Sequence, residues 1–179
     1  MSRQQQKPIT VEQYFRMART NAQNHHNGQK FEDTISEACE YYRQKRIAEI
    51  DKTPEPFHVT SRQGSKWVGF FAKKAQPDFK GVVRGGKAII FEAKHTSTTR
   101  MARSVITDVQ ERKLDMYASM GATCFVLVSF GQQHFYNIPW DVFKNMQKHF
   151  GRKFFMAAEA EQYRIGFNRH GVLDFLRAE

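Results

Sequence analysis

Cysteine is scarce in this 179-residue chain: Cys39 and Cys124 stand far apart and form no CxxC pair. That excludes a disulfide scaffold or a zinc ribbon and suits a reducing cytosol. No apolar run approaches the roughly 18 residues that a membrane span needs. The opening segment, Met1–Lys7, lacks the apolar stretch of a signal peptide. The 7 histidines fall into no HExxH or C2H2 spacing, so no zinc site is expected. Acid is thin as well: none lies between Glu55 and Asp78. No internal repeat is visible.

What is present is apolar and basic. Hydrophobic residues make up 40% of the chain and include 16 Phe, which excludes wholesale disorder. A chain of this length is ordinarily one domain with a real core. Lys and Arg number 28 against 18 Asp and Glu, a net charge of +10. Such a balance points to a polyanionic partner, nucleic acid or an anionic membrane surface.

Residues 1–27 read as a basic arm attached to a domain of residues 28–179. Val11, Tyr14, Phe15 and Ala18 have helical spacing within the arm, and His25-His26-Asn27-Gly28 is expected to break it. Phe31, Ile35, Ala38 and Tyr42 then predict a helix ending near Gln44–Lys45. Residues 47–50 look extended, and Thr53-Pro54-Glu55-Pro56 forbids helix. Residues 57–77 set Arg62, Lys66, Lys73 and Lys74 among His58, Trp67, Phe70 and Phe71. This basic, aromatic stretch reads as a protruding, stalk-like loop or ribbon.

A β-hairpin signal follows, with residues 79–84 and 87–93 flanking Gly85-Gly86, a pair suited to a two-residue turn. His95–Ser104 reads as a mobile basic loop carrying Arg100 and Arg103. Residues 105–120 read as an amphipathic helix with Ile106, Val109, Met116, Tyr117 and Met120 on its core face, ended by Gly121. Residues 123–130 form a buried strand with residues 135–138 as a shorter partner, and Pro139 opens a helix running to about Lys148. The order implies an α/β fold with a mixed central sheet flanked by helices.

The chemistry-bearing residues lie on the hairpin. Asp78 starts one strand and Glu92 ends its antiparallel partner, so both carboxylates lie at one end. Lys94 projects from the face of Glu92 because strand side chains repeat with period 2. Two carboxylates plus water suit Mg²⁺, and a neighbouring ammonium orients or helps deprotonate an attacking water. This is equipment for metal-assisted phosphodiester hydrolysis. The other reading is a strand-start turn residue and a solvated same-face pair. Against it, Glu92 follows Ile89-Ile90-Phe91, a run typical of a strand covered on both faces. Glu32 lies at the border of the first helix's apolar stripe, where it either reaches back to the sheet or is an ordinary border glutamate. Gln110 falls inside the apolar face of the 105–120 helix, as a satisfied core amide or as one pointing into the site. Gly81–Ala88 fails as a P-loop: Ala88 replaces the Ser or Thr, and the segment joins two strands. The cations of the arm, of residues 57–77 and of the 95–104 loop suit phosphates and Trp67, Phe70 and Phe71 suit base stacking, or else the aromatics cap the core and the lysines are merely solvated.

Taken in order, these pieces resemble the RecU-type Holliday junction resolvases of the PD-(D/E)xK nuclease superfamily. The resemblance runs through Gly28-x-x-Phe31-Glu32, Tyr41-Tyr42, residues 47–56, Pro77-Asp78-Phe79-Lys80-Gly81, Phe91-Glu92-Ala93-Lys94, Gln110, residues 124–130 and Gly171-Val-Leu-Asp-Phe-Leu. It implies a restriction-endonuclease-like sheet with a basic stalk, and a homodimeric, Mg²⁺-dependent endonuclease in which Mn²⁺ can substitute. Paired nicks would resolve four-way DNA junctions and leave 5′-phosphate ends. By position, Asp78 and Glu92 hold metal, Lys94 assists the water, Glu32 supports the site and Gln110 stands beside it. Arg62, Lys66, Trp67, Phe70, Lys73, Lys74, Lys80, Arg100 and Arg103 are the expected DNA contacts. Two positions depart from the usual pattern: Pro77 where Thr is common and His95 where an acid is common. The resemblance places the protein in the cytoplasm of a bacterial or phage-infected cell, with no membrane partner. A restriction-type nuclease on the same fold and a non-catalytic junction-binding module are the alternatives.

Overall fold

Phe31, Ile35, Ala38 and Tyr42 do bury one helical face, and in the computed structural model they belong to a single long helix, α1 (Val11–Gln44). The structure describes residues 11–54, 57–71 and 76–176. The expected break at residues 25–28 is absent: α1 runs straight through it. A mid-helix glycine costs only about 1 kcal/mol against alanine. The Gln23 amide bonds Asn27 Oδ1 across one turn, and the Gln132 side chain donates to the Asn27 carbonyl. These contacts carry the helix past the weak spot.

After α1 come β1 (Ala48–Lys52), then β2 (Phe57–Gln63) and β3 (Lys66–Phe71), then β4 (Phe79–Val83) and β5 (Ala88–Thr96). The rest is β6 (Arg100–Ala102), α2 (Asp108–Ser119), β7 (Thr123–Phe130), β8 (His134–Pro139), α3 (Trp140–Lys144), α4 (Met146–Phe150), β9 (Phe154–Met156) and β10 (Arg164–Ile165). The main sheet has six strands in the order β1-β4-β5-β7-β8-β10. All neighbours are antiparallel except β5 and β7, which run parallel because α2 makes the crossover between them. This is the mixed α/β plan expected from the sequence. β2 and β3 form a separate antiparallel ribbon, the protruding excursion that the basic aromatic composition predicts.

The β4–β5 connection differs slightly from expectation. The Val83 N–H donates to the Lys87 carbonyl at 3.0 Å, enclosing three residues, with φ of +97° at Gly85 and +88° at Gly86. Both angles suit glycine and strain other residues. At Gly81 the reason for glycine is contact: a Cβ there would run into the Glu49 carbonyl of β1.

Three further expectations are corrected. Residues 95–104 are not a mobile loop: β5 continues to Thr96, and β6 pairs with β9, burying Met101 against Phe155. The core face of α2 is also different. Leu114 is its fully buried residue, whereas Val109, Met116 and Met120 lie exposed. The helix begins at Asp108, capped by Thr107, so its inward face runs through Gln110, Leu114 and Tyr117, spaced i, i+4 and i+7. Ile106 packs from before the helix. The segment after Pro139 is likewise two short helices, α3 and α4, separated at Asn145.

The sheet divides the core in two. Under α1, Phe31, Ile35 and Ala38 pack on Ile89, Phe91, Ala93, Phe125 and Leu127. On the other face, Leu114, Phe143 and Met146 pack on Ile90, Val126 and Val128. Period-2 alternation therefore sends Phe91 and Ala93 toward α1, and Glu92 and Lys94 toward α2. Phe79, Phe91 and Phe125 stack across three strands, with centroids 4.9 and 4.7 Å apart. Among the described residues no helix is long and apolar enough to cross a membrane.

Candidate active site

The register of the β4–β5 hairpin sets Phe79 opposite Phe91. The next positions outward, Asp78 and Glu92, therefore meet at one end of the ribbon, on the α2 side. Asp78 Oδ2 accepts the Ala93 N–H at 3.1 Å and Lys94 Nζ at 3.3 Å. The Asp78 carbonyl accepts the Thr53 N–H at 2.8 Å, which ties the site to the end of β1. Glu92 has 0% exposure, and its Oε2 accepts Lys94 Nζ at 2.8 Å and Gln110 Nε2 at 2.5 Å. Its other oxygen, Oε1, is buried with no hydrogen-bond partner among the described residues.

Gln110 is positioned from both ends of its amide. Its Oε1 accepts the Thr107 N–H at 3.0 Å while its backbone N–H donates to Thr107 Oγ1, a capping box that starts α2. Its Nε2 is thereby aimed at Glu92. The pattern Thr107-x-x-Gln110 carries this cap in the sequence, a signal that the reading by apolar face alone misses. No comparable signal marks Ser129, a buried serine in the β7 run whose Oγ lies 3.2 Å from His95 Nδ1 on the α1 side.

Burial drives the electrostatics. It pushes the Glu92 carboxyl from the ordinary glutamate range up to about 8; the Lys94 ammonium pulls it down and Asp78 pushes it up further. For Lys94, burial works against the charge, but the Asp78 and Glu92 carboxylates outweigh it and raise the pKa above the ordinary lysine value. Lys94 is thus held as an ammonium.

This donor set fits a hard divalent cation. Two carboxylates converge, one with a buried oxygen lacking a partner, and Mg²⁺ takes one or two carboxylates and keeps several waters. Among the described residues no group of three or more His, Cys, Asp or Glu side chains gathers in one place. Glu32 accordingly does not join Asp78 and Glu92. Its Oε2 pairs with Lys52 Nζ at 2.8 Å. Lys52 lies opposite Phe79 at the end of β1, on the sheet face that α1 covers.

The expected DNA contacts divide. Trp67 and Phe70 stand 60% and 58% exposed on the β2–β3 ribbon, and the Arg62 guanidinium lies over the Trp67 ring at 4.9 Å. Lys66 is exposed beside them. Lys73 and Lys74 lie outside the described residues. Lys80 is half-buried with Nζ on Gln76 Oε1. Arg100 is exposed and lies over Phe154 at 5.4 Å. Arg103 is not a surface cation: it is ion-paired with Glu111 at 2.7 Å, lies over Trp140 and donates to the Lys144 carbonyl. It fastens α2 to α3.

A hairpin bearing Pro77-Asp78 at the foot of one strand and Glu92-Ala93-Lys94 at the end of the next defines a site of the PD-(D/E)xK nuclease pattern. The particular family follows from comparison with known proteins. The family model described as Recombination protein U matches residues 26–178, and the chain belongs to this RecU family. It is 30% identical over 167 residues to the Holliday junction resolvase RecU of Listeria monocytogenes serotype 4a (strain HCC23), covering 84% of this chain and 81% of that protein. It is 31% identical over 167 residues to the protein of the same name from Listeria innocua serovar 6a, with the same coverage. Among solved structures, it is similar to Archaeoglobus fulgidus Hjc, a Holliday junction resolvase, with TM-score 0.46 and 12% identity over 76% of this chain and 88% of that one.

Proposed function

We propose that this protein is a Mg²⁺-dependent endonuclease that resolves four-way DNA junctions by paired, symmetric nicks. The observation that carries the reading is the convergence of Asp78, Glu92 and Lys94 around a buried, unpartnered carboxylate oxygen, on a domain that also bears a basic aromatic ribbon. Acids inside a basic surface repel phosphate unless a cation accompanies them, so binding alone gives no reason for them. Family membership supports the junction as substrate.

Asp78 and Glu92 would hold the metal, with Mn²⁺ able to replace Mg²⁺. When bound, it supplies charge stabilisation at phosphate oxygens and a more acidic water. Lys94 Nζ, held between its two acid neighbours, donates hydrogen bonds and positive charge to the reacting phosphate or its water. Gln110 Nε2 holds Glu92 Oε2 from the α2 side and fixes the carboxylate plane. Trp67, Phe70, Arg62 and Lys66 present stacking faces and cations to branched DNA, so shape sets the preference more than base edges do. Two symmetric cuts need two sites, and a C2 homodimer matches the approximate symmetry of the junction. The protein then works in the cytoplasm, where the DNA is.

The test is incubation of the purified protein with a labelled four-way junction and a matched linear duplex, with and without Mg²⁺. Paired nicks in the junction, dependent on Mg²⁺ and poorly competed by duplex, are expected. Equal cutting or equal competition by duplex would refute junction selectivity, and cutting by both Asp78→Asn and Glu92→Gln would refute the site.

A further inference from the structure

On the α1 side of the sheet, at the root of the β2–β3 ribbon, a cleft of about 550 Å³ opens between α1 and the end of β1. His25, Gly28, Gln29 and Glu32 line one wall, and Lys52 and Thr53 line the other. The four α1 residues are spaced i, i+3, i+4 and i+7 and so share one helical face. The cleft is not remote from the hairpin acids, since the Thr53 N–H donates to the Asp78 carbonyl at 2.8 Å.

Three features of this cleft lack an explanation within the free protein. Gly28 sits inside a helix with no positive φ, and a Cβ built on it meets nothing within 4 Å. Neither backbone strain nor packing asks for glycine there, although glycine weakens a helix relative to alanine. Thr53 Oγ1 is buried and has no hydrogen-bond partner among the described residues. Lys52 carries its ammonium across the cleft to Glu32 while remaining one-third exposed. An open gap, an unused hydroxyl and a tethered ammonium together make a seat for an anionic chain.

We propose that this cleft seats the sugar–phosphate backbone of the strand being cut, at a phosphate adjacent to the scissile one. The proposal rests on the nuclease reading above and adds where the substrate strand lies. Thr53 Oγ1 and Lys52 Nζ donate to phosphate oxygens. Glu32 is a positioning residue that holds the Lys52 ammonium across the gap. Gly28 keeps clear the space that any side chain would enter, so the DNA backbone approaches the helix closely. Contacts of this kind fix register on the strand without reading its sequence.

Glycine to alanine separates this role from a structural one, because the two predict opposite signs. Gly28→Ala, Gly28→Gln and Thr53→Val are compared with the wild-type protein by thermal unfolding and by single-turnover cutting of a labelled four-way junction at rising protein concentration in Mg²⁺. Gly28→Ala is expected to raise Tm by about 2–4 °C, since the methyl suits the helix and meets nothing. It is also expected to raise the protein concentration for half-maximal cutting several-fold. Gly28→Gln should raise that concentration more than tenfold. Thr53→Val should keep or raise Tm, having lost no protein hydrogen bond, and should weaken half-saturation several-fold. Variants that gain or keep stability and cut at wild-type concentrations would overturn the cleft while leaving the nuclease reading intact. A drop in Tm for Gly28→Ala would overturn the open gap on which the proposal stands. A wild-type protein that leaves the junction uncut would remove both readings together.

Discussion

Replacing Glu92 by glutamine tests the site through two readouts of opposite sign. In the metal-free protein Glu92 is fully buried, with one oxygen held by Lys94 and Gln110 and the other without a partner. Burial first, and Asp78 second, raise its pKa to about 8 against the restraining pull of Lys94. The folded state therefore holds this proton more tightly than the unfolded chain does. Stability from this group is fully present below the ordinary glutamate range and is lost as pH rises through about 8. Each pKa unit is worth about 1.4 kcal/mol, so ionised Glu92 costs the metal-free fold on the order of 2 kcal/mol or more at pH 9. Glutamine keeps the shape and cannot ionise. At pH 9 in EDTA, Glu92→Gln should raise Tm by about 4–8 °C, and at pH 5 by little. Cutting should fall by at least about 100-fold, because several kcal/mol of charge stabilisation goes with the metal ligand. Junction affinity without metal should hold or improve. Thermal scans across pH and single-turnover junction cleavage provide the readouts. A variant with unchanged alkaline Tm, or with wild-type cutting, would refute the reasoning.

Other perturbations follow from the same contacts. Asp78→Asn should abolish cutting while leaving metal-free junction binding intact in a gel-shift assay. Gln110→Ala removes both the donor to Glu92 and the side chain that completes the α2 cap, so about 1 kcal/mol of stability and roughly tenfold in cutting rate should go together; a loss of stability with no loss of rate would separate the amide from the chemistry. Combining Lys66→Ala with Trp67→Ala should weaken junction binding and reduce its log–log salt slope by about one unit; an unchanged slope would take the ribbon out of the DNA path.

Much of this was legible from residue pattern, and the misses have physical causes. The hairpin acids could be paired in advance because strand period and a glycine turn fix register locally: Asp78, Glu92 and Lys94 follow from Gly85-Gly86 and alternation alone. Helical phase puts Gln110 on the inward face and leaves open what it meets there, and the same phase fails for Val109 and Met116, which are exposed. The true phase is set at the cap, where Thr107 starts the helix, and a count of apolar residues does not see a cap. Glu32 does reach back to the sheet, where it meets Lys52 at the end of β1. Helical spacing shows that it borders the apolar face, but its partner Lys52 is decided by how α1 packs on β1. The Gly28 break failed because glycine's local penalty is small beside the packing of a long helix. Arg103 looked like a loop cation because its partner Glu111 and its platform Trp140 are distant in sequence or lie on elements whose placement is not local.

Two acids and an ammonium buried on one side of a sheet are an expense for folding that apolar residues of similar volume would spare. The surroundings show how the arrangement persists. The stacked Phe79, Phe91 and Phe125 rings rigidify the strands beneath, and Thr53, Ala93 and Gln110 hold the carboxylates and the Asp78 main chain from three directions. What they leave unmet is one oxygen of Glu92. A cation that binds the folded state alone converts that deficit into stabilisation, about 2.7 kcal/mol at a hundredfold excess over Kd. Mg²⁺ at that excess should accordingly raise the Tm of the wild-type protein by about 5–10 °C at pH 8 and leave Glu92→Gln and Asp78→Asn nearly unmoved. An equal shift in all three would mean that the ion binds elsewhere and that the unpartnered oxygen is a packing defect instead of a ligand.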